Sequence, residues 1–463
     1  MDFSKIKKVY IIGIEGAGTS ALARMFKAAG KEVSGSDEGD HFYYDMLKDE
    51  EIKVFHQFDE NNLPSDADLI VYSIAFKPET NPELKKALQG KAKVITYGEA
   101  LSLPFNQKYG IAVCGSHGKG TTASWLSYVL QQAGLKPNAI IGAKVPQFNG
   151  NSLVGSSDYM IIEADEYGNK LQYYQPKMIL LNNIDYDHPD FFPTVADYEK
   201  VFIEFIKKIP KKGFLIANFD DPIIRKIANV NCLGRVISYG ISAEAEEQVE
   251  YKAYDLKALN GRQYFKVKWN GDELGDFAIS LPGRHNIQNA LAVIAALIEL
   301  GVELLDIRKH LAEFQGTTRR MQKMGEYHGA LIYDDYAHHP TEIQATLQGA
   351  RQMFPEKKIK VVFHPHTFTR TKALLDDFAK SFQEADEVIV LDIYGSAREQ
   401  QGGVHSTELV AKIKQHENQK EVKYIATLDE CAEYLRGAAG QGDLVILMGA
   451  GDVFRVGERL IQK

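Results

Sequence analysis

A glycine-rich loop between a predicted β-strand and a predicted α-helix constrains the fold of this 463-residue chain more than any other feature. The apolar run 110–114 predicts a buried parallel strand, and the apolar pattern after the loop predicts a helix. In that context, backbone N–H groups and the positive end of the helix bind phosphate. Lys119 can reach the β- and γ-phosphates of ATP, and a threonine hydroxyl can bind Mg²⁺. A glycine-rich turn with a surface lysine is the structural alternative. The loop residues are Gly115, Ser116, His117, Gly118, Lys119, Gly120, Thr121 and Thr122.

Acidic side chains follow two further predicted strands, at 160–162 and 178–181. Because the carboxyl ends of parallel strands share one edge of a sheet, both clusters should face the phosphate loop. Carboxylate oxygens are the ligands that Mg²⁺ prefers, and an imidazole is a less common one. Each cluster alone is more typical of solvated loop charge, but together they predict a metal site. The members are Glu163, Asp165, Glu166, Asp185, Asp187 and His188.

A second glycine-rich segment, 13–18, follows the first predicted strand, and Asp37 ends the next one. This spacing is typical of dinucleotide-binding proteins. Alone, it predicts a nicotinamide cofactor and an oxidoreductase, or equally another nucleotide. Glu15 would repel a pyrophosphate unless its side chain points away.

Three weaker motifs are rich in amides, histidines and arginine. Asn286 and Asn289 open a predicted helix, where their amides could bind an adenine edge or Asn286 could act as a cap. The pair His338-His339 suggests a metal, although adjacent histidines on a loop usually diverge. Arg370 follows the strand 360–363 and would bind a carboxylate or a phosphate.

Strand and helix patterns alternate along the chain, which predicts doubly wound α/β sheets. Strand-like alternation in 264–269, followed by Asn270-Gly271, predicts a β-hairpin. The patterns divide into three blocks, which we expect to be domains at 1–105, 106–315 and 316–463.

Composition excludes several classes of protein. The formal net charge of −8 leaves no basic excess to neutralise nucleic-acid phosphates. The three cysteines have no paired spacing, which indicates a reducing compartment. No signal peptide is recognisable, and the apolar stretch 290–300 is shorter than the ~20 residues of a spanning helix. We expect a cytoplasmic monomer or homodimer, with no nucleic-acid partner and no membrane insertion.

Taken together, these motifs resemble the Mur ligases, the ATP-dependent amide-forming enzymes of peptidoglycan precursor synthesis. The likeness extends over essentially the whole chain, in the right order. It implies a Rossmann-like N-terminal domain that holds a UDP-sugar rather than NAD, a central P-loop ATPase domain with a mostly parallel sheet, and a Rossmann-like C-terminal domain that binds an amino acid. The segments that carry it are 13–20, 33–37, 282–286, 334–342, 364–371, 392–394 and 448–452.

The resemblance also implies a role for individual residues. Cofactors would be ATP and Mg²⁺, and the substrates would be UDP-N-acetylmuramate and L-alanine, joined through an acyl phosphate. The sugar nucleotide would lie near Gly16, Ala17, Gly18, Ser36 and Asp37. ATP would contact Lys119 and Arg320 through its phosphates, Asn286 and Asn289 through adenine, and Asp335 through ribose. Mg²⁺ would be held by Thr121, Glu163 and His188. The amino acid would lie near Tyr336, His366 and Arg370, and the general base would be one of His188, His338 and His366.

Three positions depart from the family pattern. Gly120 stands where a threonine usually follows the loop lysine, Thr367 stands where an arginine usually follows His366, and Ile203 stands where several members carry a carbamylated lysine. The segment 163–167 is closer to recycling members that attach a murein tripeptide, whereas the segment 366–370 favours addition of alanine. A non-catalytic ATP-gated binding protein is a further alternative.

Overall fold

The structure is a computed structural model that describes residues 3–38, 43–242, 249–259, 261–395, 402–416 and 420–461. The described chain forms three sheets with helices packed around them, in sequence order. The expected three-domain α/β fold is therefore confirmed.

The N-terminal sheet is parallel, and its described strands follow the order β3-β2-β1-β4-β5. After β1 the chain adds β2 and β3 on one side of β1, and then adds β4 and β5 on the other side. A crevice at the carboxyl ends of these strands is the usual ligand site of such a sheet. The elements are β1 (Lys8–Ile12), α1 (Ala17–Ala28), β2 (Glu32–Ser36), α2 (Tyr44–Asp49), β3 (Lys53–Phe55), β4 (Leu69–Tyr72), α3 (Pro82–Ala87), β5 (Lys93–Thr96) and α4 (Tyr97–Phe105).

The central sheet has the described order β15-β14-β13-β12-β11-β10-β6-β9-β7-β8. It is parallel from β13 to β7, with antiparallel strands at both ends, β14 and β15 at one and β8 at the other. The elements are β6 (Tyr109–Cys114), α5 (Lys119–Gln132), β7 (Asn138–Val145), β8 (Gly150–Leu153), β9 (Tyr159–Glu163), β10 (Met178–Leu181), α6 (Val195–Ile206), β11 (Phe214–Asn218), α7 (Pro222–Asn231), β12 (Arg235–Gly240), β13 (Tyr251–Leu259), β14 (Arg262–Trp269), β15 (Asp272–Ile279), α8 (Arg284–Glu299) and α9 (Leu304–Glu313).

Strand β6 lies between β9 and β10, so the loop after β6 is flanked by the two acidic segments. The continuous apolar strands are buried on both faces, as parallel strands covered by helices are. Helices α8 and α9 pack against α5. Trp125 of α5 stacks on Phe314, the residue after α9, with ring centroids 5.2 Å apart. The predicted hairpin is confirmed, since β14 and β15 pair across Asn270-Gly271.

The C-terminal sheet has the described order β16-β17-β21-β18-β19-β20, and β16 is its antiparallel edge. The elements are β16 (Gln322–Tyr327), β17 (Ala330–Asp335), α10 (Pro340–Met353), β18 (Lys358–Phe363), α11 (Phe368–Ala373), α12 (Leu375–Ala379), β19 (Glu387–Val390), α13 (Ser406–His416), β20 (Glu421–Tyr424), α14 (Leu428–Ala438), β21 (Asp443–Met448) and α15 (Phe454–Ile461). Among the helices of the described residues, none is long and apolar enough to cross a membrane.

Candidate active site

The phosphate loop requires glycine at two positions because it packs closely against neighbouring segments. Gly115 has a φ of 124° and Gly118 a φ of 77°, both unfavourable for a residue with a Cβ. A Cβ at Gly115 would lie 2.7 Å from the carbonyl oxygen of Asn183, and one at Gly118 would lie 2.7 Å from Asn289 Oδ1. The loop thus bridges the segment after β10 and the first turns of α8.

Lys119 begins α5 and turns its ammonium group back over the loop. Its Nζ donates to the carbonyl oxygens of Gly115 (2.6 Å) and Ser116 (3.0 Å) and to Glu166 Oε2 (3.0 Å). Burial lowers the pKa of Lys119, but the carboxylates of Glu166, Asp165 and Glu163 together outweigh burial, so the net pKa is raised. The side chain of Glu166 is fully buried and also accepts from the Tyr198 hydroxyl. Lys119 is therefore a fixed positive charge at the strand edge.

The loop faces a cavity of about 470 Å³ between the central and C-terminal domains. Both domains line it, which brings together residues more than 200 positions apart in sequence. The predicted ATP residues that line this cavity are His117, Gly118, Thr121, Asn286, Asn289, Arg320 and Asp335.

Other loop residues hold the loop in place. The Ser116 hydroxyl donates to the Asp185 carbonyl at 2.6 Å, and the buried Thr122 hydroxyl accepts from Asn182 Nδ2 at 3.0 Å. A Cβ at Gly120 would lie 3.1 Å from Glu163 Oε2, which is tighter than ordinary contact. Glycine at this position therefore gives Glu163 room beside α5.

The two asparagines of α8 are buried and linked by a hydrogen bond. Asn289 Nδ2 donates to Asn286 Oδ1 at 3.1 Å, and Asn286 Nδ2 donates to the Pro282 carbonyl at 2.6 Å. Gly283, not Asn286, occupies the N-cap of α8, so the capping alternative for Asn286 is wrong. On the opposite wall, the Asp335 carboxylate accepts from the N–H groups of Met321 (2.7 Å) and Ala337 (2.9 Å).

The acidic segments meet beside Lys119. Ligand atoms of Asp165, Glu166 and His188 all lie within 4.8 Å of one another. Glu163, which was expected to share a metal with His188, is not part of this group; its Oε2 accepts from the N–H of Gly142 at 2.6 Å. Two carboxylates and an imidazole match the chemistry of a divalent cation.

Glu342, on α10, connects the phosphate loop to the C-terminal domain. Its Oε1 lies 3.5 Å from His117 Nδ1 and 3.4 Å from Arg320 Nη1, and its Oε2 accepts from the N–H of His338 at 3.1 Å. Burial raises the pKa of this carboxyl, but His338, Arg320 and His117 together hold the pKa well below its usual range. The sequence motif ended on this residue but gave no role for it.

His117 binds a carboxylate from each of two domains. Its Nε2 lies 3.0 Å from Asp185 Oδ2 of the central domain, opposite the Glu342 contact. Burial lowers the pKa of His117, but the hydrogen bonds to Asp185 and Glu342 raise it to about 9. The Thr341 hydroxyl also donates to Asp185 Oδ2, at 2.6 Å. This carboxylate therefore joins the two domains.

The residues predicted to bind the amino-acid substrate lie in the C-terminal domain, next to the contacts of His117 and Glu342. The ring centroid of His338 is 5.3 Å from that of Tyr336 and 6.1 Å from that of His366. Burial is the main cause that lowers the pKa of His338, to about 4. Arg370 is buried and donates to Asp187 from Nε (2.9 Å) and Nη2 (3.3 Å) across the domain boundary. Asp187 therefore neutralises the arginine that was expected to bind a carboxylate or a phosphate.

The two adjacent histidines diverge, as expected. His338 Nδ1 lies 2.9 Å from the Tyr336 carbonyl oxygen, whereas His339 Nδ1 lies 3.5 Å from Asp185 Oδ2. The His117 ring is 4.7 Å from that of His339. The pair is thus divided between two environments.

A second cavity, of about 360 Å³, lies at the carboxyl edge of the N-terminal sheet. Gly16, Ala17, Gly18 and Asp37 line it, and so does Lys170 from the central domain. Asp37 Oδ2 accepts a hydrogen bond from the backbone N–H of Glu15 at 2.9 Å. The carboxylate thereby shapes the glycine-rich turn.

Ser36 was expected to contact the sugar nucleotide, but its hydroxyl donates to the buried Glu83. The side chain of Glu15 is fully buried, 3.6 Å from His56 Nδ1. These contacts occupy both side chains within the N-terminal domain.

A buried amide joins the N-terminal domain to the central one. Asn151 Nδ2 donates to the Ala17 carbonyl (2.8 Å) and to the Ser20 hydroxyl (3.0 Å), both on α1. Its Oδ1 lies 3.5 Å from Arg24 Nη1. The helix at the glycine-rich turn is thus fixed to the central sheet.

Comparison with known proteins places this geometry in one family. Three family models match consecutive parts of the chain: "Mur ligase family, catalytic domain" at 8–109, "Mur ligase middle domain" at 113–297, and "Mur ligase, glutamate ligase domain" at 319–451.

Relatives match over full length. The UDP-N-acetylmuramate–L-alanine ligases of Desulfosudis oleivorans and Alkaliphilus metalliredigens are 36% and 38% identical over 466 and 465 residues. Those matches cover 99% and 100% of this chain and 99% and 98% of the relatives. The crystal structure of UDP-N-acetylmuramate-alanine ligase from Thermotoga maritima has a TM-score of 0.82 at 25% identity, over 98% of both chains.

A murein peptide ligase from Psychrobacter arcticus shares the fold, with a TM-score of 0.75 at 23% identity over 98% of both chains. The family models together span nearly the whole chain, and the full-length relatives exceed one third identity. The chain therefore belongs to the Mur ligase family.

Proposed function

We propose that this Mur ligase joins L-alanine to the carboxylate of UDP-N-acetylmuramate at the expense of ATP. The observation that carries the proposal is the cavity of about 470 Å³, which assembles the phosphate loop, Asn286, Asn289, Arg320 and Asp335 from two domains. The names of the full-length relatives support the choice of substrates. The nicotinamide hypothesis loses its basis, because it leaves the cavity at the phosphate loop without a role.

ATP would lie with its phosphates at the loop and its adenine at α8. Lys119 and Arg320 would neutralise the phosphates, Asn286 and Asn289 would bind the adenine edge, and Asp335 would bind the ribose. In a water-poor cavity, such fixed charges stabilise the transferring phosphoryl group more than they would in water.

Mg²⁺ would be held by His188 together with Asp165 and Glu166, whose ligand atoms lie close enough to share one ion. Glu163 and the Thr121 hydroxyl, which also lie at this edge, would complete the ligands. When bound, Mg²⁺ supplies positive charge to phosphate oxygens. The chain's own part is to supply these oxygen and nitrogen atoms from side chains at the edge of the central sheet.

The sugar nucleotide would occupy the N-terminal cavity, with its diphosphate at the turn Gly16-Ala17-Gly18. Its carboxylate would extend toward the loop and attack the γ-phosphorus of ATP, which breaks the bond to ADP and forms an acyl phosphate. The amine of L-alanine then attacks the acyl carbon, and inorganic phosphate leaves. Positioning of the reactants supplies most of the rate enhancement for such a sequence.

The ammonium group of the amino acid must lose a proton before it attacks. His338 is neutral at physiological pH, because burial lowers its pKa to about 4, and its imidazole lies beside Tyr336 and His366. His188 and His366 are the other candidates for the base. Arg370 would orient the amino acid while paired with Asp187. We place the enzyme in the cytoplasm, as a monomer or a homodimer.

The test is the release of phosphate from ATP with Mg²⁺, combined with the mass of the product. We expect release to require both UDP-N-acetylmuramate and L-alanine and the product to have the mass of their amide. Lys119→Met should abolish product formation, whereas Lys177→Met, an exposed lysine of the same domain, should not. Turnover with a murein tripeptide but not with L-alanine would replace this proposal by the recycling reaction. Turnover by Lys119→Met at the wild-type rate would refute the assigned site.

A further inference from the structure

Lys170 is the basic side chain of the N-terminal cavity, although it belongs to the central domain. Among the described residues that line this cavity, no other side chain is basic, and two of them, Glu15 and Asp37, are acidic. A diphosphate that enters a cavity of this composition needs a cation close to it. The glycine-rich turn offers backbone N–H groups but no full positive charge.

The backbone aims Lys170 at this cavity. It lies in the segment Tyr167–Tyr173, where Gly168 (φ 68°) and Asn169 (φ 52°) both adopt left-handed conformations immediately before it. Its stem packs against the first turn of α4, since a Cβ at Gly98 would lie 3.0 Å from Lys170 Cγ. The side chain is therefore held between the two domains, with 16% of its surface exposed.

The ammonium group of Lys170 forms an ion pair with the Asp165 carboxylate. Asp165 also belongs to the group with Glu166 and His188 that could hold a divalent cation. One lysine thus connects the cavity of the sugar nucleotide to the candidate metal site.

We propose that Lys170 binds the diphosphate of the sugar nucleotide and gives up Asp165 when it does so. The freed carboxylate then joins Glu166 and His188 around the divalent cation. The cation site is completed only when the sugar nucleotide is present, so phosphoryl transfer to water is disfavoured in its absence. This inference rests on the proposed function for the identity of the nucleotide.

The first experiment is calorimetric titration of the full chain with UDP, without ATP or metal. A charge-assisted hydrogen bond of this kind accounts for roughly ten- to 100-fold in affinity, so Lys170→Met should weaken UDP binding by that factor. Lys170→Arg should stay within about threefold of wild type, and Lys177→Met, with the same loss of charge on an exposed side chain, within about twofold. The proposal is overturned if Lys170→Met binds UDP within twofold of the wild-type affinity. It is also overturned if Lys170→Arg binds UDP as weakly as Lys170→Met does.

The second experiment tests the exchange of partners. Asp165→Asn removes the competing carboxylate, so UDP should bind roughly two- to fivefold tighter to this variant in the absence of metal. Weaker binding would overturn the exchange. Mn²⁺ binding, followed by electron paramagnetic resonance, should tighten severalfold when UDP-N-acetylmuramate is added to wild type and should not change in Lys170→Met. An unchanged Mn²⁺ affinity in wild type would also overturn it.

These readouts separate this inference from the proposed function. If wild type binds UDP through Lys170 but makes no amide, the proposed function fails and the role of Lys170 stands. If wild type makes the amide while Lys170→Met binds UDP normally, only the role of Lys170 fails.

Discussion

Deprotonation of His117 should weaken the joint between the central and C-terminal domains, because this imidazolium binds a carboxylate from each. The pKa of His117 is about 9 in the folded protein, against an ordinary value of 6.5. The difference of about 2.5, at 1.36 kcal/mol for each unit of pKa, corresponds to ~3 kcal/mol. Because the folded-state pKa is the higher one, this stabilisation is complete below pH 6.5 and decreases up to about pH 9. At higher pH it is lost.

Nuclear magnetic resonance of ¹³C-labelled histidine in the ligand-free protein measures this pKa directly, with His117→Gln to assign the signal. We expect a midpoint near pH 9, and a lower midpoint in Glu342→Gln, which keeps the shape of the side chain but not its charge. In urea unfolding, wild type should lose ~3 kcal/mol more than His117→Gln between about pH 6.5 and pH 10. A midpoint at or below 6.5 would refute the reasoning, as would equal losses in the two proteins.

Three further predictions concern the loop and the domain boundary. Lys119→Arg keeps the charge but moves it, so phosphate release should fall by roughly 10²–10³-fold; wild-type rates would contradict this. Gly118→Ala imposes a φ of 77° on alanine and places its Cβ 2.7 Å from Asn289 Oδ1. Calorimetry should show ATP binding weakened by ~2 kcal/mol or more, and unchanged affinity would be inconsistent with the loop geometry. Asp187→Asn leaves the buried Arg370 without its carboxylate and should lower the free energy of unfolding by ~3–5 kcal/mol, measured in urea; a loss below ~1 kcal/mol would show that the pair contributes little.

The sequence was sufficient for features that depend on local pattern. The strand, loop and helix around Lys119 follow from apolar periodicity and glycine placement, and both are local. The sequence also predicted that the acidic segments lie at one edge of the sheet, because the carboxyl ends of parallel strands all lie at the same edge. The hairpin at Asn270-Gly271 needed only its turn residues.

Features that depend on tertiary contact were not predictable in this way. Glu342 and Asp187 receive their partners from another domain, and no spacing in the sequence encodes that contact. The grouping of His188 with Asp165 rather than Glu163 depends on how far each side chain reaches from its strand end. No sequence motif pointed to Lys170, because its position at the N-terminal cavity depends on the packing of the central domain against the N-terminal domain.

The contacts that join the central domain to its two neighbours differ in their charge. The N-terminal joint contains the neutral amide of Asn151, whereas the C-terminal joint rests on the carboxylates Asp185, Asp187 and Glu342. A triphosphate that enters the cavity brings negative charge next to the second joint and competes for the same cations. The arrival and hydrolysis of ATP should therefore change the electrostatic balance of the C-terminal joint, whereas the amide of Asn151 carries no charge for which a triphosphate could compete.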